Sequence, residues 1–135
     1  MEKLPDVDAG LLPMIADYME KGFLENIVDM FRHDGKLYSL VGELIQDERV
    51  RVRIGVTALM EELSVLDASN VPAAVSPLLP LLDHENPVVR GDVSNILGII
   101  GDKSILPFLE KGLNDSNHNV RLILAEAIEE INQRT

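Results

Sequence analysis

The chain has 135 residues, a formal net charge of −11, no cysteine, and an apolar content of 46% of which little is aromatic. This length is typical of one domain, here with an aliphatic core, and the lack of cysteine excludes disulfides and thiolate metal sites. The excess of acidic residues disfavours nucleic acid and anionic membranes as partners, because both attract Lys and Arg.

The N-terminal segment, residues 1–10, is acidic and lacks the basic and apolar regions of a secretory signal. No stretch of the chain approaches the roughly 18 consecutive apolar residues of a membrane span. We therefore expect a cytoplasmic protein that does not bind membranes.

Residues 8–35 have helical apolar periodicity, interrupted at Gly22 and closed by Gly35. They contain a concentration of methionine and aromatic residues, namely Met14, Tyr18, Met19, Phe23, Met30 and Phe31. We expect a degenerate helix pair that caps the rest of the chain, since a terminal unit must shield its neighbour. The alternative is a Met-rich and aromatic patch that binds a partner.

A valine–arginine pair then recurs three times, with Arg53, Arg90 and Arg121 separated by 37 and 31 residues. The preceding text is similar each time: LIQDERVRVR, LLDHENPVVR and GLNDSNHNVR. The residues around LDASNV account for the longer first spacing. Self-similarity at this period predicts a solenoid of repeated helix pairs.

The middle repeat shows how each unit is built. Its second helix carries apolar residues on one face, namely Val89, Val93, Ile96, Leu97 and Ile100. Gly101 then predicts a left-handed helix end, and Asp102 or Ser104 predicts a cap for the next helix. That next helix has its own apolar side, formed by Ile105, Leu106, Leu109 and Leu113.

The segment HENPVVRGDVSNILGIIGDKSILPFL, residues 84–109, closely resembles HEAT repeats, in particular the short HEAT-like repeats named after phycobilisome (PBS) lyases. The resemblance covers roughly residues 36–132. It implies an all-α fold, a right-handed α-α superhelix of about four antiparallel helix pairs in a single domain over residues 1–135. The expected units are 8–35 for the cap and 36–66, 71–101 and 103–133 for the repeats.

An aspartate precedes two of the recurring arginines by six residues. The two pairs are Asp47 with Arg53 and Asp115 with Arg121. Arginine has five donors that suit carboxylates and turn carbonyls, so we expect a structural Asp/Arg ladder that ties each turn to its helix, as the resemblance to HEAT proteins implies. Arg90 is expected to pair with Asp115 of the next repeat or with Asp83.

The pair His84-Glu85 resembles the iron-binding His-Glu pairs of deoxyhypusine hydroxylase, a HEAT-repeat enzyme. Those pairs lie directly after the arginine on the helix, whereas the equivalent positions here are Ile54-Gly55, Gly91-Asp92 and Leu122-Ile123. The chain also lacks a glycine-rich phosphate loop, a Cys/His dyad and a nucleophile elbow. We therefore expect no metal, no cofactor and no catalytic residues.

In solenoids of this type the second helices line the concave face. The outward positions predicted for partner binding are Glu62, Asp92, Asn95, Ile99, Glu126 and Glu130. They would form an acidic groove with a small and apolar floor that suits a basic or amphipathic protein segment. The alternative is an ordinary solvated helix face.

These observations favour a non-enzymatic protein-interaction scaffold. Two family-based alternatives are a phycobilin chromophore lyase-like subunit and a HEAT-like DNA-repair glycosylase, of which the second is disfavoured by the acidic charge. The final helix adds Leu122 and Ile123 to its apolar stripe, which predicts a weak homodimer through the C-terminal end. The glutamates of that helix support the alternative that it caps itself.

Overall fold

The computed structural model describes residues 7–134, with side chains from Gly10 onward. Residues 1–6, on which the expected lack of a secretory signal partly depends, lie outside the described residues, as does Thr135. The described part is an all-α solenoid, as the repeats predict. Its α-helices are α1 (Val7–Glu20), α2 (Leu24–His33), α3 (Val41–Leu44), α4 (Val50–Leu66), α5 (Val75–Leu78), α6 (Pro87–Ile100), α7 (Leu106–Lys111) and α8 (His118–Arg134).

The first helix of each repeat is broken into short pieces rather than continuous. The α-helical pieces α3, α5 and α7 adjoin 3-10 turns at Gly35–Leu40, Val71–Ala74, Leu79–Asp83, Lys103–Ile105 and Gly112–Asn114. Pro72, Pro80 and Pro107 each occupy one of the first two positions of such a piece. Proline is tolerated there because its missing N–H has no helical acceptor, so each proline favours a new start.

The second helices α4, α6 and α8 stack side by side, with α6 packed between the other two. The residue two positions after each arginine faces the preceding helix: Gly55 lies against Met19, Asp92 against Arg53, and Ile123 against Gly91. Since Met19 belongs to α1, helix α1 packs on α4 as α4 packs on α6. Helix α2 packs against α4 and against the 3-10 turn Gly35–Leu40.

The predicted apolar face of α6 is buried along its whole length, which confirms the periodicity. In the following segment Ile105 and Leu109 are also buried, but the expectation for Leu113 is wrong, because this side chain is exposed. Leu113 lies in the 3-10 turn Gly112–Asn114. A 3-10 turn has about three residues per turn and therefore rotates Leu113 away from the α-helical face.

The methionine and aromatic residues of α1 and α2 mostly pack in or against the core. Met19 and Phe31 are buried, whereas Phe23 is exposed. The Phe31 ring meets the ring of Tyr38 edge to face, with centroids 5.2 Å apart. This burial favours the packing interpretation of the N-terminal segment over a partner-binding patch.

The extra residues after α4 are anchored on the first repeat by a buried tyrosine. The Tyr38 hydroxyl donates a hydrogen bond to Asp67 Oδ2 over 2.8 Å, and Asn70 Nδ2 donates to Asp67 Oδ1 over 2.9 Å. Burial, followed by the hydrogen bond to Asp67, raises the pKa of the Tyr38 hydroxyl. The longer spacing between the first two arginines is thus accommodated by an ordered turn.

Two glycines end helices in different ways. Gly22 has φ +87°, a left-handed conformation that glycine adopts without strain, and it separates α1 from α2. Gly101 is extended, with φ −83° and ψ 168°, so the expected left-handed end is wrong. A Cβ at Gly101 would collide with Ile105 and lie 2.6 Å from the Leu97 carbonyl oxygen, so close approach is what requires glycine here.

The predicted cap at Asp102 is present, since Asp102 Oδ1 accepts a hydrogen bond of 2.9 Å from the Ser104 N–H.

The helices of residues 7–134 include none that is both long and apolar enough to cross a membrane.

The close approach of α6 and α8 gives a test of the stacking. A Cβ at Gly98 would lie 2.7 Å from Ala127 Cβ and 2.9 Å from Ala127 Cα, whereas a Cβ at Gly91 meets only the end of the Ile123 side chain at 3.2 Å. We expect Gly98→Ala to lower the free energy of unfolding by roughly 1–3 kcal/mol, because the helices must separate. Gly91→Ala should be near neutral, since its gain in helix propensity offsets a small displacement.

Urea unfolding followed by circular dichroism measures both variants against the parent protein. Equal stability of the Gly98 and Gly91 variants would contradict the close packing of α6 on α8.

Candidate functional site

The recurring arginine occupies the fourth position of α4, α6 and α8, and in each case it binds the main chain of the turn before its helix. In every repeat the guanidinium Nη1 donates to the carbonyl oxygen six residues earlier. The distances are 3.0 Å from Arg53 to Asp47, 2.9 Å from Arg90 to His84, and 2.6 Å from Arg121 to Asp115. Because the acceptor is a backbone atom, this contact does not depend on the side chain at the turn position.

Arg90 also forms a bidentate ion pair with the next repeat. Within the described residues, this is the one bidentate ion pair that joins two repeats. Its Nε lies 2.7 Å from Asp115 Oδ2, and its Nη2 lies 2.8 Å from Asp115 Oδ1. The exposed fractions of the two side chains are only 13% and 10%. The hydrogen bond from Arg90 holds the pKa of the Asp115 carboxyl below its usual value.

The structure differs from the expected pairing of each aspartate with the arginine of its own repeat. The carboxylate of Asp47 is bound by Arg49, whose Nε donates over 3.0 Å and Nη2 over 3.1 Å, and not by Arg53. Likewise the Asp115 carboxylate binds Arg90, while Arg121 reaches only the Asp115 carbonyl oxygen. The arginine Nη1 is directed at the backbone of its own turn. The Asp115 carboxylate is directed at Arg90 of the preceding repeat, whereas the Asp47 carboxylate is held by Arg49 within its own turn.

Arg53 has no such carboxylate to bind in the next repeat, because His84 stands at the position equivalent to Asp115. Arg53 Nε instead lies 3.4 Å from Asp92 Oδ2, and this buried Nε has no hydrogen-bond acceptor. Burial raises the pKa of the Asp92 carboxyl, against the opposing effect of Arg53. Arg53 therefore binds the turn of its own repeat and lines the exposed surface between α4 and α6.

The exposed sides of α4, α6 and α8 form one continuous surface, which we name the second-helix face. A hollow of about 450 Å³ between α4 and α6 is lined by Arg53, Asp92 and Asn95 among others. A second hollow of about 340 Å³ between α6 and α8 is lined by Asp92, Asn95, Glu126 and Glu130. The structure thus brings four of the six predicted partner-binding residues together in one acidic groove.

The other two predicted residues lie elsewhere. Glu62 lines the hollows between α2 and α4, with Leu24 and Leu66. Ile99 is half-buried and packs against the core, so its side chain does not belong to the acidic groove.

Four exposed apolar residues of the second-helix face were not predicted from the sequence. Val50, Ile54 and Val65 are exposed on α4, and Val88 is exposed beside Val50 and Ile54 at the start of α6. Helical periodicity could have identified the three on α4. Their positions lie on a different face of α4 from the buried apolar residues of that helix.

The histidines take part in local hydrogen bonds. The Asn86 N–H donates to His84 Nδ1 over 3.0 Å, and His33 Nδ1 lies 2.7 Å from the Asp29 carbonyl oxygen. Within residues 7–134, no group of three or more His, Cys, Asp or Glu side chains is arranged to hold a metal ion.

Comparison with known proteins gives one result. A family model described as HEAT repeats matches residues 39–129, which is more than half of the chain and spans all three arginine-bearing repeats. A search of curated proteins gave no match.

The recurring arginines should differ in their contribution to stability. Arg90→Ala removes four hydrogen bonds and leaves the Asp115 carboxylate largely buried, so we expect a loss of about 3 kcal/mol in the free energy of unfolding. Arg121→Ala removes mainly the bond to the Asp115 carbonyl oxygen, and we expect a loss of about 1 kcal/mol. Urea unfolding ranks the two variants by their free energy of unfolding. If both unfold like the parent protein, the recurring arginines do not have the structural role assigned to them.

The Arg90–Asp115 pair should also make stability sensitive to acid. Because the folded pKa of Asp115 lies below its unfolded value, its contribution is present above about pH 4 and is lost as the pH falls through the folded pKa. Asp115→Asn cannot titrate, so its free energy of unfolding should fall less than that of the parent protein between about pH 6 and pH 3. Parallel acid titrations by circular dichroism measure the difference, and equal declines would contradict the assignment.

Proposed function

Since the chain belongs to the HEAT-repeat family, we propose that it is a non-enzymatic scaffold that binds a protein partner through the second-helix face. HEAT repeats commonly serve as protein-interaction scaffolds and are typically non-catalytic. The proposal adds the partner class, a basic or amphipathic protein segment. A cytoplasmic location is part of the same proposal.

One observation carries this assignment: the acidic groove formed by Asp92, Asn95, Glu126 and Glu130 along α6 and α8. Arginine pairs with only one of these acidic residues, Asp92, and at 3.4 Å. The remaining negative charge on this face is complementary to lysine and arginine in a partner. Charge complementarity of this kind speeds association and selects among partners.

The two alternatives from family analogy have less support. A DNA-repair protein needs cationic side chains on its binding face to neutralise phosphates, whereas this face is acidic. A chromophore lyase-like subunit needs an enclosed site for a tetrapyrrole, and the hollows on the second-helix face open to solvent. The scaffold function therefore accounts for the charge and the shape of this face together.

Weak self-association through the C-terminal end stays a second proposal. Leu113 and Leu122 are exposed at this end of the solenoid, and the Leu122 side chain is 52% exposed. The neighbouring Glu129 is exposed too, which limits how much apolar surface two copies would bury.

Selection of peptides from a random displayed library tests the proposed scaffold function. We expect the selected peptides to be rich in Lys and Arg, and to bind at least about tenfold more weakly to a Glu126→Lys, Glu130→Lys double variant. The matched control is Glu43→Lys with Glu110→Lys, which makes the same change of charge at exposed glutamates of the first-helix segments. Equal weakening by both double variants would show attraction to net charge alone and would contradict binding at the second-helix face.

A further inference from the structure

The exposed apolar side chains of the protein are concentrated at one place. Of the nine large apolar side chains that are exposed in the described part of the chain, five lie on α4 or directly beside it: Val50, Ile54, Val65, Leu66 and Val88. The exposed fractions are 57% for Val50, 64% for Ile54 and 80% for Val65. Such a concentration is typical of an interaction surface rather than of scattered surface residues.

Three of these side chains lie along one line of the helix. At 100° per residue, Val50, Ile54 and Val65 fall within about 60° of arc, and they span about 22 Å along the axis of α4. Glu61 lies within the same arc, between Ile54 and Val65. We name these four residues the α4 stripe, an apolar line with one acidic residue inside it.

The α4 stripe lies between two hollows that continue one into the other. The first, of about 450 Å³, separates α4 from α6, and the second, of about 430 Å³, lies beside Leu24 of α2. Both are lined by Ala58 and Glu61, so a small side chain stands where the two hollows meet. A partner segment can therefore lie along α4 with side chains entering on both flanks.

The charges around the α4 stripe are mostly negative. Glu61 and Glu62 are exposed on α4, and Asp92 lies across the first hollow. Arg53 is the one basic residue that lines these two hollows in the described part of the chain, and it faces Asp92. An apolar line flanked by carboxylates is complementary to a helix with an apolar stripe flanked by lysine or arginine.

We infer that the α4 stripe is the docking site of a basic amphipathic α-helix of a partner protein, about 16 residues long, which lies along α4. This inference rests on the proposed function and specifies where on the second-helix face the partner binds and in what conformation. The partner helix places apolar residues on Val50, Ile54 and Val65 and a basic residue on Glu61. A second copy of the chain would bring the same carboxylates together, and an anionic membrane would repel them.

A designed helical peptide of about 16 residues serves as the probe. It carries leucines at the spacing of Val50, Ile54 and Val65 and lysines in the middle and on the flanks of the same face. A peptide of identical composition in scrambled order has the same charge but no apolar stripe. We expect fluorescence anisotropy to give tighter binding for the amphipathic peptide by about tenfold or more.

Matched protein variants locate the binding. Ile54→Asp should weaken binding of the amphipathic peptide by at least about tenfold, while Leu122→Asp should change it by less than about twofold. Both substitutions replace an exposed apolar residue of a second helix by aspartate, so they change the charge equally and spare the core. Circular dichroism verifies that both variants are folded.

The contribution of the Glu61 charge can be measured independently. Glu61→Gln should reduce the salt dependence of binding while leaving the preference over the scrambled peptide, because it removes a charge and keeps the apolar contacts.

The outcomes separate this inference from the proposed function. Equal binding of the two peptides, or no effect of Ile54→Asp, overturns the α4 stripe as the docking site. If library peptides still respond to the Glu126 and Glu130 reversals, the scaffold function stands without it. Sedimentation velocity of the parent protein alone adds one more outcome: self-association abolished by Ile54→Asp would assign the stripe to a second copy and overturn the inference.

Discussion

The structure depends on one repeated interaction, the hydrogen bond from an arginine Nη1 to the carbonyl oxygen six residues earlier. A HEAT-type repeat cannot bury its apolar face alone, so each turn must hold its second helix at the angle that lets the next repeat stack. Because the acceptor belongs to the backbone, it is available whether the turn residue is Asp47, His84 or Asp115. This explains why the arginine recurs while the turn side chain varies. It also leaves the second-helix face available for other contacts.

Much of the fold follows from the sequence, because helix stacking is encoded in apolar spacing. The buried face of α6 and the cap at Asp102 were both predictable from periodicity and local chemistry. The conformation of Gly101 and the exposure of Leu113 were not. Gly101 is glycine because Ile105 and the Leu97 carbonyl oxygen approach it closely. Leu113 is turned outward by a 3-10 segment. The spacing of apolar residues reveals neither cause.

The candidate site was predictable in its charge but not in its arrangement. Outward positions of the second helices identified the acidic groove, yet Ile99 packs against the core and the α4 stripe was overlooked. Likewise, spacing predicted that aspartates and arginines would meet, but a carboxylate and its own main-chain carbonyl lie at the same sequence distance from the arginine. Arg49, which holds the Asp47 carboxylate, lies outside that spacing altogether. The direction in which each side chain points decides whether the arginine meets the carboxylate or the carbonyl oxygen. That direction depends on the folded packing and not on the spacing in the sequence.

We propose that the arginines organise the solenoid while a partner binds the exposed side of α4. An NMR titration of the ¹⁵N-labelled protein with a peptide selected from the displayed library tests it most directly, and a chain of 14.9 kDa is well suited to the method. We expect amide shift changes concentrated along α4 and the facing side of α6, with the turn amides of Asp47 and Asp115 unchanged. Changes concentrated in the first-helix segments, Leu79–Asp83 and Leu106–Lys111, would contradict the account.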